Sequence, residues 1–405
     1  MLDFSHVTCY FVSMRQRRAY RYRFYPTPEQ AAVLARTFGS ARFVYNWALS
    51  LRTDAYYQRQ ERVRYADTSA ALTALKREPE TAWLNEVSSV PPQQALRHLD
   101  RAFRHFFDGR AKYPAFKRKR GRQTAEYTTS AFRWEADKRS LILAKMETPL
   151  AIVWSRAFTG DPTTVTVSKD PAGRYFVSFL VDEEITPQPV TEATIGLDMG
   201  ISALVTLSTG EKITNPKHFT RSRHQLKTAQ KNLARKQNGS HNREKARQKV
   251  ARAHAKMADQ RLDGLHKLST RLIRENQTVC VETLAVRRLV RNRRLAQAIS
   301  DASWSELIRQ LEYKAAWYGR TLVKIDKWYP STKRCSDCGH VLESLPLSVR
   351  QWTCPECGIH HDRDVNAAKN VLAVGLTVNA CGEAIRPGRA TPASARPSEA
   401  GIPRL

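Results

Sequence analysis

The chain has 405 residues, with 67 lysines and arginines against 38 aspartates and glutamates, so its formal net charge is +29 at pH 7. This charge exceeds what solubility requires and predicts a polyanionic partner. A membrane surface is the alternative polyanion, but the sequence has no apolar run long enough to span a bilayer. At this length we expect roughly two to four domains with ample core, and we expect a monomer.

Both ends of the chain differ from its centre. Residues 1–13 place an acid before a short apolar stretch and basic residues after it, which is the reverse of the order in a signal peptide. We therefore interpret these residues as an extension or a mis-called start. We also expect a cytoplasmic protein. Residues 383–405 are rich in Pro, Ala, Gly and Ser, which predicts a disordered tail.

The N-terminal half mixes strands with helices. A strand at 19–24 precedes a helix from Glu29 to Gly39. Further helices are predicted at 40–60, 67–78 and 91–107, the last beginning at Pro91-Pro92. Strands at 163–169 and 174–182 flank a turn and form a hairpin. We therefore predict a β-barrel-like domain from residues 14–28 and 123–186, with a helical domain, 29–122, inserted into it.

Positive charge is concentrated in three segments. Residues 110–122 contain no acid, and their proline and aromatic residues favour a loop that grips phosphates. Its seven basic residues are Arg110, Lys112, Lys117, Arg118, Lys119, Arg120 and Arg122. Residues 217–274 hold 17 basic residues against three acids and predict a basic helical hairpin broken at Asn238-Gly239. The third group follows Glu282 and consists of Arg287, Arg288, Arg291, Arg293 and Arg294.

The C-terminal half also mixes strands with helices, and we predict an α+β, multidomain protein. Strands are predicted at 194–199, 201–208, 211–214, 278–282 and 321–326. A helix at 300–319, capped by Ser300 and Asp301, separates the last two strands, and a final helix begins near Asp364. This order resembles an RNase H-type nuclease fold, which we assign to residues 190–329 and 359–382. In such a sheet the first and fourth strands lie side by side.

Three acidic residues fall at the ends of these elements. Asp198 and Glu282 end the first and fourth strands, and Asp364 begins the last helix. Clustered carboxylates raise one another's pKa unless a cation neutralises them, and hard oxygen ligands suit Mg²⁺ or Mn²⁺. Two such ions could serve phosphodiester hydrolysis. Each acid taken alone could be a solvated side chain, and Asp362 remains a possible helper of Asp364.

Two CxxC pairs predict a structural zinc site. Cys335 and Cys338 are separated from Cys354 and Cys357 by 15 residues, the spacing of a four-thiolate zinc ribbon, which we place at 330–358. Disulfides are the alternative, which the absence of secretion signals disfavours. The ribbon lies just before the last helix, so we expect it to hold Asp364 and to contact nucleic acid.

Taken together, these motifs resemble the TnpB proteins of bacterial insertion sequences, compact relatives of the type V CRISPR nucleases. The matching stretches are 34–46, 113–120, 196–200, 300–319, both cysteine pairs and 361–370. The resemblance implies an RNA-guided DNA endonuclease with a RuvC-like active site. It also implies a guide RNA from the transposon end and a short transposon-adjacent DNA motif read by the N-terminal half.

The resemblance also implies which residues read that adjacent motif. Tyr65, Gln93, Tyr127 and Thr128 lie in the corresponding stretches and carry groups able to reach base edges. They could equally be ordinary surface residues. The proline pair Pro91-Pro92 departs from the family pattern and puts the alignment around Gln93 in doubt.

Two other functions remain open at this point. A catalytically inactive RNA-guided DNA-binding regulator would keep the fold without cutting, although all three acids are present. A DDE-type transposase shares the sheet and would join DNA ends, although a zinc ribbon before the last acidic helix argues against it.

Overall fold

The computed structural model describes residues 14–380, which divide into two compact units. The first comprises the described part of Met1–Thr186 together with Ser222–Ala258, and the second comprises Pro187–Arg221 with the described part of Asp259–Leu405. The predicted extension at 1–13 and the predicted tail at 383–405 lie outside the described residues. No helix in the described part of the chain is long and apolar enough to cross a membrane.

The first unit is built on an antiparallel sheet. Its strands, in chain order, are β1 (Met14–Tyr25), β2 (Gln123–Thr128), β3 (Phe132–Glu135), β4 (Ser140–Leu143), β5 (Ala151–Val153), β6 (Pro162–Lys169) and β7 (Tyr175–Ile185). Five of them form a sheet in the order β2-β6-β7-β1-β5, and β3 pairs with β4. The predicted β6–β7 hairpin is confirmed, and β1 pairs with β7 across the helical insertion. Within residues 14–380, β2 and β5 do not pair, so this sheet is open.

The helices of this insertion are α1 (Pro28–Arg59), α2 (Tyr65–Leu75) and α3 (Val90–Phe107). The predicted break at Gly39 is wrong, because Gly39 lies inside α1. A glycine costs a helix only about 1 kcal/mol. Buried apolar residues beyond it, including Val44 and Leu49, keep the helix packed in the core. The prediction that Pro91-Pro92 open α3 is confirmed.

The basic segment 217–274 forms two helices, α4 (His218–Ala234) and α5 (His241–Glu275). The break at Asn238-Gly239 is confirmed, with Gly239 at a φ of 83°. Buried residues along the hairpin are Leu226, Met257, Leu265, Leu268 and Leu272. The basic hairpin therefore carries packed apolar side chains along its length.

The second unit contains a mixed sheet. Its strands are β8 (Thr194–Asp198), β9 (Ala203–Leu207), β10 (Lys212–Thr214), β11 (Thr278–Glu282) and β12 (Thr321–Ile325), in the order β10-β9-β8-β11-β12. The first three strands are an antiparallel meander, and β11 is parallel to both β8 and β12. The predicted order of strands, and the adjacency of the first and fourth, are confirmed.

The helices of this unit are α6 (Val286–Leu289), α7 (Ala296–Ala302), α8 (Trp304–Tyr318) and α9 (Arg363–Ala380). A short hairpin of β13 (Gln351–Thr353) and β14 (His360–Asp362) leads into α9. The predicted cap by Ser300 and Asp301 is wrong. Asp301 is buried in α7 and accepts hydrogen bonds from the Phe219 amide and from Arg261, so its carboxylate ties α7 to two other segments.

Helix α9 lies directly against the sheet at two glycines. A Cβ atom on Gly196 of β8 would lie 2.2 Å from the carbonyl oxygen of Ala368. A Cβ atom on Gly375 of α9 would lie 2.3 Å from the sulfur of Cys280 in β11. Both distances are below van der Waals contact, so only glycine permits this approach.

These contacts lead to a stability prediction. Gly375→Ala should destabilise the protein by about 1–3 kcal/mol, because the added methyl overpacks the contact with β11. Gly264→Ala is the matched control, since Gly264 is also helical but has nothing within 4 Å of its Cβ position. It should stabilise the protein by about 0.5–1 kcal/mol, the usual gain in a helix interior. Urea unfolding of both variants measures the difference, and equal effects would contradict this account of the α9 contact.

Candidate functional site

The three acidic residues come together at one edge of the second sheet. Leu197 pairs with Val281, so Asp198 and Glu282, the next residue of each strand, leave the sheet side by side. Asp364 lies in the first turn of α9. Its carboxylate lies 3.6 Å from the guanidinium of Arg350. Strand pairing and helix packing thus bring together residues that are far apart in sequence.

The electrostatics of this edge are unfavourable for free carboxylates. Burial raises the pKa of Asp198 to about 8, with further contributions from the charges of Glu282 and Asp364, while Arg363 and Arg350 oppose the shift. Burial also raises the pKa of Glu282, and a hydrogen bond from Ser331 opposes that shift. These carboxylates therefore favour a proton or a cation.

The three carboxylates do not form one tight group of ligand atoms. Within residues 14–380, the potential ligand atoms that lie within 4.8 Å of one another in groups of three or more belong to the four cysteines and to the trio Cys335, Asp337 and His361, and not to these acids. At least two of the three carboxylates are therefore farther apart than that limit.

Asp362 holds the start of α9. One of its carboxylate oxygens accepts from the amides of Asp364 and Val365 at 3.1 Å, and the other lies 2.7 Å from Lys212 Nζ. Burial alone would raise the pKa of Asp362, but these partners outweigh it and the pKa is lowered. Asp362 is therefore a charged helix cap that orients the backbone of Asp364.

A second network joins α9 to Glu282 and was missed by the sequence analysis. The Ser331 hydroxyl donates to Glu282. The buried Asn370 amide donates to the carbonyls of Ser331 and Arg334, at 2.8 and 2.6 Å, and Asn366 donates to Arg334 at 2.7 Å. The spacing of Asn366 and Asn370, four residues apart on one face of a predicted helix, was the feature of the sequence that could have indicated this network.

The four cysteines form a compact cluster. Their sulfurs lie within 4.8 Å of one another, with Cys335–Cys357 at 3.7 Å and Cys338–Cys354 at 3.6 Å. All four are free, which contradicts the disulfide alternative. Four sulfurs placed tetrahedrally about 2.3 Å from zinc would be about 3.8 Å apart. The cluster therefore fits a structural zinc site.

Backbone amides lower the pKa of Cys335 and Cys354, whereas burial and neighbouring thiols raise the pKa of Cys338 and Cys357. Burial raises the pKa of Cys354, but the backbone amides of Cys357 and Glu356 outweigh it and lower that pKa to about 7. Gly339 and Gly358 follow the two CxxC pairs with φ values of 81° and 72°. Positive φ at these positions suits glycine. Next to the cluster, the buried His361 places Nε2 3.1 Å from the sulfur of Cys335.

The predicted phosphate-binding loop is irregular and exposed. Its backbone is anchored to α1, because the Asn46 side chain bonds both the amide and the carbonyl of Lys117 at 2.8 and 3.0 Å. Lys117 Nζ lies 4.0 Å from the Tyr45 ring centre, and Arg110 pairs with Asp108. Within the described residues, the other five basic side chains of the loop form no ion pair. They are Lys112, Arg118, Lys119, Arg120 and Arg122.

The arginine group after Glu282 is exposed as well. Arg287 and Arg288 lie in α6, and Arg291, Arg293 and Arg294 lie in the segment that follows it. None of these five guanidinium groups forms a salt bridge within residues 14–380. They are free to bind phosphates.

The four predicted motif-reading residues differ in accessibility. The prediction is wrong for Tyr127, which is 1% exposed in the core of the first unit. Burial raises its pKa to about 12. Gln93 is exposed in the first turn of α3, and Thr128 is half-buried at the end of β2. Tyr65 is half-buried, and its hydroxyl accepts from Arg97 at 3.2 Å.

Three family models match the chain. They are described as "Probable transposase" (residues 176–293), "Cas12f1-like, TNB domain" (304–371) and "Helix-turn-helix domain" (14–61). The last range forms β1 followed by the single helix α1 in this structure.

Curated relatives match over nearly the whole chain. A "Putative RNA-guided DNA endonuclease" of Streptomyces pristinaespiralis is 59% identical over 96% of this chain and 99% of its own length. "Putative RNA-guided DNA endonuclease InsQ" of Escherichia coli (strain K12) is 32% identical over 95% and 98%. Among solved structures, the Cas12f1 chain of the Cas12f1–sgRNA–target DNA complex matches this chain with a TM-score of 0.55 at 13% sequence identity. The match covers 88% of this chain and 98% of the Cas12f1 chain, so the two share a fold.

The raised pKa of Asp198 leads to a prediction about stability. In zinc-loaded protein without other divalent cations, the unfolded state loses its Asp198 proton near pH 4, whereas the folded state keeps it until about pH 8. Wild-type stability should therefore fall through this window relative to Asp198→Asn, which carries no such charge. Thermal melts across the window measure the difference, with the exposed Asp137→Asn as control. A difference that does not change with pH would contradict the assignment.

Proposed function

The chain belongs to the TnpB family, and from this premise we propose that it is an RNA-guided DNA endonuclease with a RuvC-like, RNase H-type active site. Asp198, Glu282 and Asp364 are its catalytic residues in this proposal. The observation that carries it is the meeting of these acids at one sheet edge, where Asp198 and Glu282 end paired strands and Asp364 begins the helix packed against them. An edge of this kind is costly in a protein unless cations occupy it.

The donor set suits Mg²⁺ or Mn²⁺, because the three acids offer only carboxylate oxygens. Bound at these three residues, such ions would supply Lewis-acid stabilisation of a phosphodiester undergoing hydrolysis. The chain's own residues hold the acids in place. Ser331 fixes one oxygen of Glu282 by its hydrogen bond and leaves the other available, while Asp362 fixes the first turn of the helix that carries Asp364.

We further propose that Cys335, Cys338, Cys354 and Cys357 hold a structural Zn²⁺ in a ribbon inserted into the nuclease fold. Four thiolates leave no open position for a substrate. The ribbon follows Ser331 in the chain and leads through β14 into α9, so its folding bears on two catalytic residues at once. Arg363 adds to this link by donating to the carbonyl of Pro346 at 2.6 Å.

The partners in this proposal are a guide RNA and its target DNA. The relatives' names specify RNA-guided endonucleases. The exposed cations of residues 110–122 and 287–294 supply a grip on phosphates that does not depend on sequence. Base pairing with the guide would select the target, and the first unit would read a short adjacent motif. Of the four residues predicted to read it, Gln93 is the most accessible candidate.

The first test of this proposal is DNA cleavage. The protein purified with RNA from its transposon end should cut a matched DNA with Mg²⁺ and should leave an unmatched DNA intact. Asp198→Ala should lower the cleavage rate by at least about 100-fold, because removing a metal-binding acid weakens the charge stabilisation of the transition state. Asp137→Ala removes an exposed acid far from the three in sequence and should cut normally. Normal cutting by Asp198→Ala would overturn the active-site assignment.

The same assay separates the two rival functions. A regulator without catalysis would bind matched DNA and leave it intact. A DDE-type transposase would produce joined strands instead of free double-strand breaks. Gel analysis of end-labelled products distinguishes all three outcomes.

The second test concerns zinc. Cys354→Ser should lower the bound zinc from about one ion per chain and lower the melting temperature, because structural zinc contributes directly to folding. Glu356→Gln is the matched control, since this exposed side chain lies in the same CxxC pair but offers no thiolate. Metal analysis by mass spectrometry and thermal melts measure both effects. Full zinc content in Cys354→Ser would contradict the four-thiolate assignment.

A further inference from the structure

Trp328 is the most exposed aromatic side chain in the described part of the chain, with 76% of its surface accessible. Tryptophan has a large apolar ring, so its exposure to water is unfavourable. Its flat ring also offers a large surface for stacking. The ring contributes to none of the hydrophobic clusters of residues 14–380. Its exposure therefore has no structural explanation within its own unit.

The chain holds Trp328 close to the catalytic edge from both sides. Ile325, three residues earlier, pairs with Glu282, and its carbonyl accepts from the Thr283 hydroxyl at 2.7 Å. Ser331, three residues later, donates its hydroxyl to Glu282. Three residues span at most about 11 Å. The backbone of Trp328 therefore lies within about 11 Å of both Ile325 and Ser331, which contact Glu282 or its strand.

The backbone around Trp328 is ordered although the ring is exposed. The Trp328 amide donates to the Asp326 carboxylate at 2.7 Å, and the Ser331 amide donates to the Tyr329 carbonyl at 2.8 Å. The Tyr329 side chain packs on the apolar cluster under α9. A ring presented on a fixed backbone loses little conformational entropy when a ligand stacks on it.

The surroundings of the ring suit a nucleic acid strand. Lys327 Nζ lies 4.9 Å from the ring centre, so a cation and an aromatic face are offered together. Sites for single-stranded nucleic acid combine these two groups, and stacking accepts any base. Such tolerance suits a nuclease whose target is chosen by base pairing.

We propose that Trp328 is a stacking platform for an unpaired base of the DNA strand entering the active site, within a few nucleotides of the bond that is cut. This inference rests on the proposed nuclease function. Trp328 is a positioning residue in this scheme, since it binds the strand and leaves the reacting phosphate to the three acids.

Single-turnover cleavage by the protein–RNA complex tests the platform. Trp328→Ala should slow cutting of matched DNA by roughly 5- to 100-fold, the range expected for loss of one stacked base. Trp328→Phe keeps an aromatic face and should retain most of the rate. Val190→Ala is the matched control, because Val190 is an apolar side chain that is 78% exposed and lies outside the ribbon, and it should cut at the wild-type rate.

An abasic scan of the DNA distinguishes stacking from a structural role. Removing single bases near the cut should reveal one position at which the wild-type complex slows by a similar factor. In Trp328→Ala, removing that base should have no further effect, because the partner ring is already absent. A wild-type rate in Trp328→Ala, or an unchanged abasic profile in a slowed variant, would overturn the proposal. If Trp328 instead binds another protein, Trp328→Ala would cut DNA at the wild-type rate.

Failure of the nuclease function itself would be visible separately. If the wild-type complex does not cut matched DNA at all, the proposed function fails, and the abasic series is then measured as binding of fluorescently labelled DNA by anisotropy. In that measurement, loss of discrimination in Trp328→Ala supports the platform, and unchanged discrimination overturns it.

Discussion

The close approach of α9 to the sheet is the constraint on which the candidate site depends. Gly196 in β8 and Gly375 in α9 remove the two side chains that would hold the helix away. The same helix begins with Asp364, so the distance between helix and sheet sets the distance between this acid and the strand ends. Two glycines without any chemistry of their own thus determine where the third carboxylate lies.

The carboxylate edge stores unfavourable electrostatic energy that the rest of the unit must offset. Burial and like charges raise the pKa of Asp198 to about 8, while Lys212 and the first amides of α9 stabilise Asp362 as a charged cap two residues before Asp364. The environment therefore keeps one acid ionised for structure. It makes another costly to ionise until a cation arrives.

The segment from Ser331 to Arg363 links the cysteine cluster to the edge where the three acids meet. Asn366 and Asn370 fasten its beginning to α9, and Ser331 contacts Glu282 from there. The cysteine cluster then closes the segment before it returns through β14 to the same helix. The four thiols and the carboxylate edge are thus connected by a few hydrogen bonds.

Local patterns were enough to predict β1, the β6–β7 hairpin, the strands of the second sheet, the cysteine cluster and the ends of the elements that carry the acids. They missed the shorter strands β2 to β5, β13 and β14. Period-two alternation marks the strands, and CxxC spacing reports on ligands only three residues apart. Local patterns failed where packing overrides them. Gly39 continues a helix because apolar residues beyond it are buried, and Asp301 serves as a buried anchor instead of a cap because Arg261 and the Phe219 amide lie opposite it.

The sequence by itself determined the charge, the thiolate set, the order of strands and the three acids, because each is written in residue types and short spacings. Only the tertiary structure decided that Tyr127 is buried, that Ser331 contacts Glu282, and that two asparagines fasten the ribbon to α9. These facts depend on which residues meet across long separations in the chain. Such meetings are set by the packing of α9 on the sheet, which no local pattern encodes.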